Sequence, residues 1–279
     1  MQNTIKSKEY VARKKEFLKE KISTFERKPK LCVIQVGNNP ASSSYIKGKR
    51  RDCEEVGIEF EHIHIKDIED ENINNKYIEQ IIKEKNKDDS IDGLLLQLPL
   101  PDKFNIPLEQ KISKEKDVDG FRKDSPFIPC TPKGIINYLE ENDIELIGKV
   151  CVVVGRSNIV GKPLVELLIN KGATVISCNS KTPIEKLKDY SKKCDIFISA
   201  IGKANYFNED FFDLKNKEQI LIDVGINKNE EGKLCGDIKE EIKINTFSTP
   251  VPNGVGLFTR VALLENTIYA YLQKTILKL

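Results

Sequence analysis

Apolar positions along this chain follow two alternating patterns. Leu31 to Val36 (LCVIQV), Ile91 to Leu98 (IDGLLLQL), Val150 to Val154 (VCVVV), Asp195 to Ile201 (DIFISAI) and Gln219 to Val224 (QILIDV) are short, nearly continuous apolar runs, the signature of strands buried on both faces. Ile58 to Ile65 and Ala173 to Cys178 read as further strands. Between the runs, apolar residues recur at helical spacing over Lys8 to Ile22, Asn75 to Lys85, Lys133 to Asn142, Gly161 through Leu168, and roughly Thr259 to Leu277. Another helix follows the Asn38-Asn39-Pro40 turn, with Ser42 or Ser43 as its expected cap, and ends near Val56 before Gly57. Glu115 to Cys130, of mixed polarity with two prolines, is expected to be loop. Strand and helix alternating at this spacing predict an α/β fold with parallel sheets, and functional groups beyond the carboxyl ends of the strands. No repeat or flexible linker separates the halves, so helices are expected to join two domains.

The stretch Val150 to Pro163, VCVVVGRSNIVGKP, organises the second half. A buried strand stops at Gly155, and Gly161 and Pro163 open a helix whose N-terminus points back at the loop. Backbone N–H groups and the positive end of the helix dipole converge there, as a phosphate or pyrophosphate requires. The glycines are spaced Gly155-x5-Gly161 rather than G-x-G-x-x-G, so the loop alone is a partial signal. The next strand ends in Asn179-Ser180-Lys181-Thr182, with no acidic residue for a free ribose 2′-hydroxyl. Ser180, Lys181 and Arg156 suit a 2′-phosphate, which favours NADP over NAD.

Composition narrows the picture. At 279 residues with a formal charge of +2, the chain offers no electrostatic argument for nucleic acid or for an acidic membrane surface, and a small-molecule partner is expected. Seven cysteines lie scattered without a C-x-x-C pair, in the manner of reduced thiols in a cytoplasmic protein. The N-terminal segment lacks an apolar signal core, and no run approaches the length of a membrane span. His62 and His64 share a strand face, but nothing nearby completes a ligand set, so no metal is expected.

Tyr45 and Lys49 lie four apart on one helix face. Gln97 ends a strand and Asp119 sits in the turn Lys116-Asp117-Val118-Asp119-Gly120, so an amine, an amide and a carboxylate could converge on the loop side of the first sheet. Each also has a plain reading: helical lysines are mostly solvated, Gln97 could satisfy a strand end, and turn aspartates often bond their own backbone. A Tyr-x-x-x-Lys pair marks short-chain dehydrogenases as well. There it follows the nucleotide loop, whereas here it precedes the loop by about a domain.

Taken together, SSSYIKGK (Ser42 to Lys49), DGLLLQLPLP (Asp92 to Pro101), KDVDGF (Lys116 to Phe121), PCTPKG (Pro129 to Gly134), VVVGRSNIVGKP (Val152 to Pro163), DVGIN (Asp223 to Asn227) and TPVPNGVG (Thr249 to Gly256) resemble the bifunctional methylenetetrahydrofolate dehydrogenase/cyclohydrolase family. The motifs run in family order over nearly the whole chain. The resemblance implies an N-terminal parallel-sheet folate domain, residues 1–137 joined by a C-terminal helix 257–279, and a Rossmann-like NADP-binding domain, residues 138–256, with a cleft between them. It implies oxidation of 5,10-methylenetetrahydrofolate to the methenyl form with NADP, then hydrolysis to 10-formyltetrahydrofolate, in the one-carbon metabolism that feeds purine synthesis.

By the same resemblance Lys49 is the catalytic lysine, Gln97 positions it, Asp119 holds the pterin and Tyr45 stacks on folate. Pro252, Gly254 and Val255 approach the substrate, while Gly155, Arg156, Ser157, Ile159, Ser180, Lys181 and Gly256 line the cofactor site. A cytoplasmic homodimer is implied. Departures from the family pattern are Asn253 in place of glycine, Leu257-Phe258 in place of proline and methionine, Gly202-Lys203-Ala204-Asn205 without the usual Pro-Gly, and a shorter stretch after Gly120. Two alternatives stay open on sequence alone: a folate-binding protein of the same shape that has lost one or both activities, and an unrelated NADP-dependent dehydrogenase.

Overall fold

A computed structural model describes residues 6–70, 72–104, 107–244 and 246–276. In chain order the elements are α1 (Ser7–Ser23), β1 (Lys30–Val36), α2 (Pro40–Val56), β2 (Glu59–Ile65), α3 (Asn75–Lys87), β3 (Gly93–Leu96), α4 (Cys130–Glu141), β4 (Val150–Val154), α5 (Gly161–Asn170), β5 (Thr174–Cys178), α6 (Ile184–Lys193), β6 (Ile196–Ser199), β7 (Ile220–Asp223), β8 (Asn227–Lys228), β9 (Leu234–Cys235), α7 (Glu240–Lys243), β10 (Phe247–Ser248) and α8 (Val255–Ile276). They pack as two α/β units. Among the described residues, one comprises Ala12–Cys130 with 260–276, the other Thr131–Thr259 with 6–11.

In the first unit the sheet order is β2-β1-β3, all parallel, so β1 is the central strand and carries five buried apolar residues on its two faces. One face packs Leu31, Val33 and Leu95 against Ile46, Cys53 and Val56 of α2, with Leu18 and Ile22 of α1 and Leu264 and Ile268 of α8. The opposite face packs Cys32, Ile34, Leu94 and Leu96 against Ile78 and Ile82 of α3. Apolar residues on both faces require helices on both sides, so the continuous run in the sequence and the layered core are one fact.

In the second unit the order is β10-β7-β6-β4-β5, again parallel. Its core brings Val152, Val154, Phe197 and Leu221 of the sheet against Leu187 of α6 and the rings of Phe207, Phe211 and Phe212. From β4 the chain steps outward to β5, then returns past β4 to β6. That reversal makes the gap between the carboxyl ends of β4 and β6 the topological switch point, where ligands of open parallel sheets bind.

Several expectations need correction. Asn39, not Ser42 or Ser43, caps α2: its side chain accepts from the N–H groups of Ala41 and Ser42 at 2.9 and 3.1 Å, and Pro40 supplies the first helical residue. α8 begins at Val255 rather than Thr259, and its expected end at Leu277 lies outside the described residues. α4 begins three residues before Lys133, and the loop from Glu115 opens on a short 3-10 turn over Lys114–Lys116. α6 had no counterpart among the predicted helices.

Candidate active site and nucleotide loop

In the first unit the reactive cluster begins with α2. Tyr45 and Lys49 project from the same face one turn apart, and Lys49 is 4% exposed. Its Nζ donates to Gln97 Oε1 at 3.0 Å and lies 4.9 Å from the centroid of the Tyr45 ring. Gln97 directly follows β3. Its N–H donates to Ile34 O on β1 at 2.9 Å, and its Nε2 donates to Leu98 O at 2.8 Å, which leaves Oε1 facing the lysine.

Burial pushes the Lys49 pKa below the ordinary lysine value, and the nearby positive charge of Arg260 acts the same way, while the Asp119 carboxylate opposes both. Burial pushes Asp119 upward, and Lys49 draws it back. Amine and carboxylate thus restrain each other's departure from ordinary values.

The turn that carries Asp119 is built from charges and amides inside the protein. Lys116 Nζ donates to the carbonyls of Lys85, Asn86 and Asp88 at 3.0, 2.8 and 2.6 Å, closing the carboxyl end of α3. Asp117, 1% exposed, accepts from the N–H groups of Phe121 and Arg122 at 3.3 and 2.9 Å, and burial pushes its pKa up to about 6. Asn266 of α8 donates to Val118 O at 2.9 Å and Ile128 O at 3.2 Å, pinning the residue before Asp119. Asp52, also on α2, binds Lys15 of α1 at 2.6 Å and Arg260 Nε at 2.7 Å. The Arg260 guanidinium lies over Gly48, where an added Cβ would meet Nη1 at 2.1 Å, so a larger residue beside Lys49 would push the guanidinium aside. Asn266, Asp52 and Arg260 escape the sequence reading, which names Lys116 and Asp117 only as members of the turn. Polar residues at buried or half-buried helical positions are the trace that Asp52, Arg260 and Asn266 leave there.

In the second unit Gly155 has φ +120°, and a Cβ on it would lie 2.3 Å from Ala200 O. A Cβ on Gly161 would lie 2.1 Å from Gly155 O. Both glycines are therefore demanded by close backbone approach at the switch point. Ser157 Oγ accepts from the N–H groups of Val160 and Gly161 at 3.1 and 3.3 Å, which shapes the turn into α5. The N–H groups of Arg156 to Ile159 have no acceptor among the described residues. Arg156 Nη2 donates to Ser177 O on β5 at 2.9 Å, bringing its exposed guanidinium to the strand end that carries exposed Ser180 and Lys181. Glycines, open N–H donors and a basic strand end together suit a phosphorylated dinucleotide. Pro252, Gly254, Val255 and Gly256 occupy the turn between β10 and α8 in this same unit. There Gly254 O accepts from Leu257 N at 2.9 Å, and Asn253 takes the left-handed conformation, φ +75°, that the family's glycine would take freely.

His62 and His64 bond elsewhere: His62 Nε2 pairs with Gln35 Oε1 at 3.1 Å and His64 Nε2 with Gly37 O at 2.9 Å. Among the described residues no cluster suited to a metal ion occurs, and no helix is long and apolar enough to cross a membrane.

The fold and these clusters define an α/β enzyme with a Rossmann-like nucleotide-binding unit. Residues 5–119 match the tetrahydrofolate dehydrogenase/cyclohydrolase catalytic domain and residues 129–275 the NAD(P)-binding domain of the same name. The chain belongs to the tetrahydrofolate dehydrogenase/cyclohydrolase family. It is 46% identical over 268 residues to the bifunctional protein FolD of Oceanobacillus iheyensis, covering 91% of this chain and 88% of that one. The crystal structure of the bifunctional FolD dehydrogenase/cyclohydrolase from Campylobacter jejuni matches with a TM-score of 0.88 at 39% identity, over 97% of this chain and 98% of the other. The Trypanosoma brucei enzyme, solved with NADP cofactor and inhibitor, matches with a TM-score of 0.86 at 26% identity, over 95% and 96% of the two chains.

Proposed function

We propose that this chain oxidises 5,10-methylenetetrahydrofolate with NADP and hydrolyses the resulting methenyl cation to 10-formyltetrahydrofolate. The observation that carries the hydrolytic half is Lys49: buried, lowered in pKa, bonded to an oriented amide and beside a carboxylate. A neutral amine in that setting takes a proton from water as its oxygen attacks the methenyl carbon. It returns that proton to N5 as the C–N5 bond breaks, and the water's second proton leaves as the formyl carbonyl forms on N10. Gln97 holds the amine in line, and the Tyr45 ring offers a stacking face for the folate. Asp119 accepts two donors from the guanidine-like edge of the pterin, which fixes the reacting carbon.

NADP, when bound, supplies the hydride acceptor. Gly155, Arg156, Ser157 and Ile159 would hold its pyrophosphate, Arg156 with Ser180 and Lys181 its 2′-phosphate, and Gly256 would border it. Pro252, Gly254 and Val255 would approach the folate. In this reading the folate domain is 1–137 with the C-terminal helix and the nucleotide domain 138–256, and the protein works as a cytoplasmic homodimer.

The test is a spectrophotometric assay with 5,10-methylenetetrahydrofolate and each cofactor, following reduced nicotinamide and methenyl separately. Reduced NADP forming while methenyl stays low supports both activities. Accumulating methenyl removes the cyclohydrolase, and no reduction of either cofactor removes the reading altogether.

A further inference from the structure

Beneath the nucleotide loop lies a carboxylate that the reading above does not use. Asp237 is 0% exposed. Its Oδ2 accepts from Ser199 Oγ at 2.7 Å, Ile201 N at 2.9 Å and Gly202 N at 3.3 Å, and its Oδ1 from Lys203 N at 2.8 Å and Asn227 Nδ2 at 3.0 Å. Three consecutive backbone N–H groups of the segment leaving β6 therefore close on one side chain. Asp237 is itself anchored, since its N–H donates at 2.9 Å to Asp223 Oδ1, and Asp223 pairs with buried Lys243 at 2.7 Å.

The segment so held, Ala200 to Lys203, leaves β6 at the switch point, and Ala200 O touches Gly155 of the loop after β4. One side of the crevice is thus the phosphate loop and the other the segment fixed by Asp237. β5, with the basic strand end, lies on the far side of β4 from that segment.

We propose that Asp237 is a positioning residue for the dehydrogenase, holding the Ala200 to Lys203 segment so that this wall is preformed for the part of NADP remote from the 2′-phosphate. The proposal rests on the NADP reading above. The chemistry of the side chain makes it testable. Asparagine keeps the shape but turns one acceptor oxygen into a donor, which faces the N–H groups of Ile201 and Gly202 in one amide orientation and that of Lys203 in the other.

The experiment uses the full chain with Asp237→Asn and, as a variant certain to preserve packing volume closely, Ser199→Ala, which removes one donor to Oδ2. Two probes are titrated: NADPH by its own fluorescence, and adenosine 2′,5′-bisphosphate, which carries only the phosphorylated adenosine end, by calorimetry. Asp237→Asn is expected to weaken NADPH about tenfold or more, the scale of losing hydrogen bonds to a charged group, and Ser199→Ala about threefold, since the carboxylate keeps its three backbone donors. Both should leave the bisphosphate and methenyl hydrolysis within about twofold. Unchanged NADPH affinity in both variants overturns the proposal, as does an equal loss of both probes in either. Failure of the wild-type chain to bind NADPH overturns the underlying reading and the proposal with it.

Discussion

Replacing Gln97 by glutamate puts a carboxylate where Lys49 Nζ now meets an amide oxygen at 3.0 Å. At an effective dielectric of about 20, unit charges at that distance attract by about 5.5 kcal/mol, or about four pKa units. Burial of the new carboxylate raises its own pKa and takes back part of this, leaving a rise of about two units at Lys49 as the working expectation. The direction follows from charge: a carboxylate favours the ammonium, so at any given pH a smaller fraction of Lys49 is neutral and able to accept a proton. On the acid limb of the methenyl-hydrolysis profile, where the rate tracks the neutral amine, Gln97→Glu should lower kcat/KM about a hundredfold and move the limb about two pH units towards alkali. Gln97→Leu removes an acceptor from the ammonium and should move the limb the other way, with a lower plateau because the amine is no longer oriented. The assay is the decay of methenyltetrahydrofolate absorbance between mildly acidic and alkaline pH. A limb that stays in place in Gln97→Glu would sink the assignment of Lys49 as proton acceptor.

Lys49→Ala should reduce methenyl hydrolysis by about 10²–10⁴-fold, the range for a positioned acid–base, and oxidation of the methylene form by much less, read as the ratio of the two rates. Arg156→Ala should cost about ten- to a hundredfold in kcat/KM with NADP while leaving NAD nearly unchanged, and equal losses would mean the guanidinium does not read the 2′-phosphate. Asn266→Leu leaves the Ile128 carbonyl without its amide donor and the Val118 carbonyl with only the weak Cys130 Sγ donor at 3.2 Å, so the urea midpoint should fall by the equivalent of about 2 kcal/mol with unchanged slope.

The strands were legible where the apolar run was long. VCVVV and LCVIQV cannot be solvated on either face, and both are central strands. α6 was not legible, because only Leu187 and Ser191 of its ten residues are buried and the rest reads as a charged, solvated stretch. Strands of two residues, such as β8, β9 and β10, are too short to show any period. The cap of α2 was misjudged because two serines and an asparagine compete within five residues, and only the backbone conformation of Asn39, extended at ψ 119°, decides among them. Lys49, Gln97 and Asp119 could be named from motifs, but the residues that tune them come from distant positions. Arg260 reaches α2 from the last helix, and no local pattern announces a pairing 208 residues away from Asp52.

That distant arginine bears on how one lysine serves as both acceptor and donor of a proton. A base must be neutral when water attacks and charged a moment later, so neither form can be strongly preferred. Burial and Arg260 favour the neutral amine, Asp119 favours the ammonium, and Gln97 accepts a hydrogen bond from either form. On the proposed assignment, a pterin edge bonded to Asp119 engages the charge that holds the ammonium in place. Folate binding then weakens the largest contribution opposing a low Lys49 pKa, and the amine becomes most available as a base when its substrate has arrived.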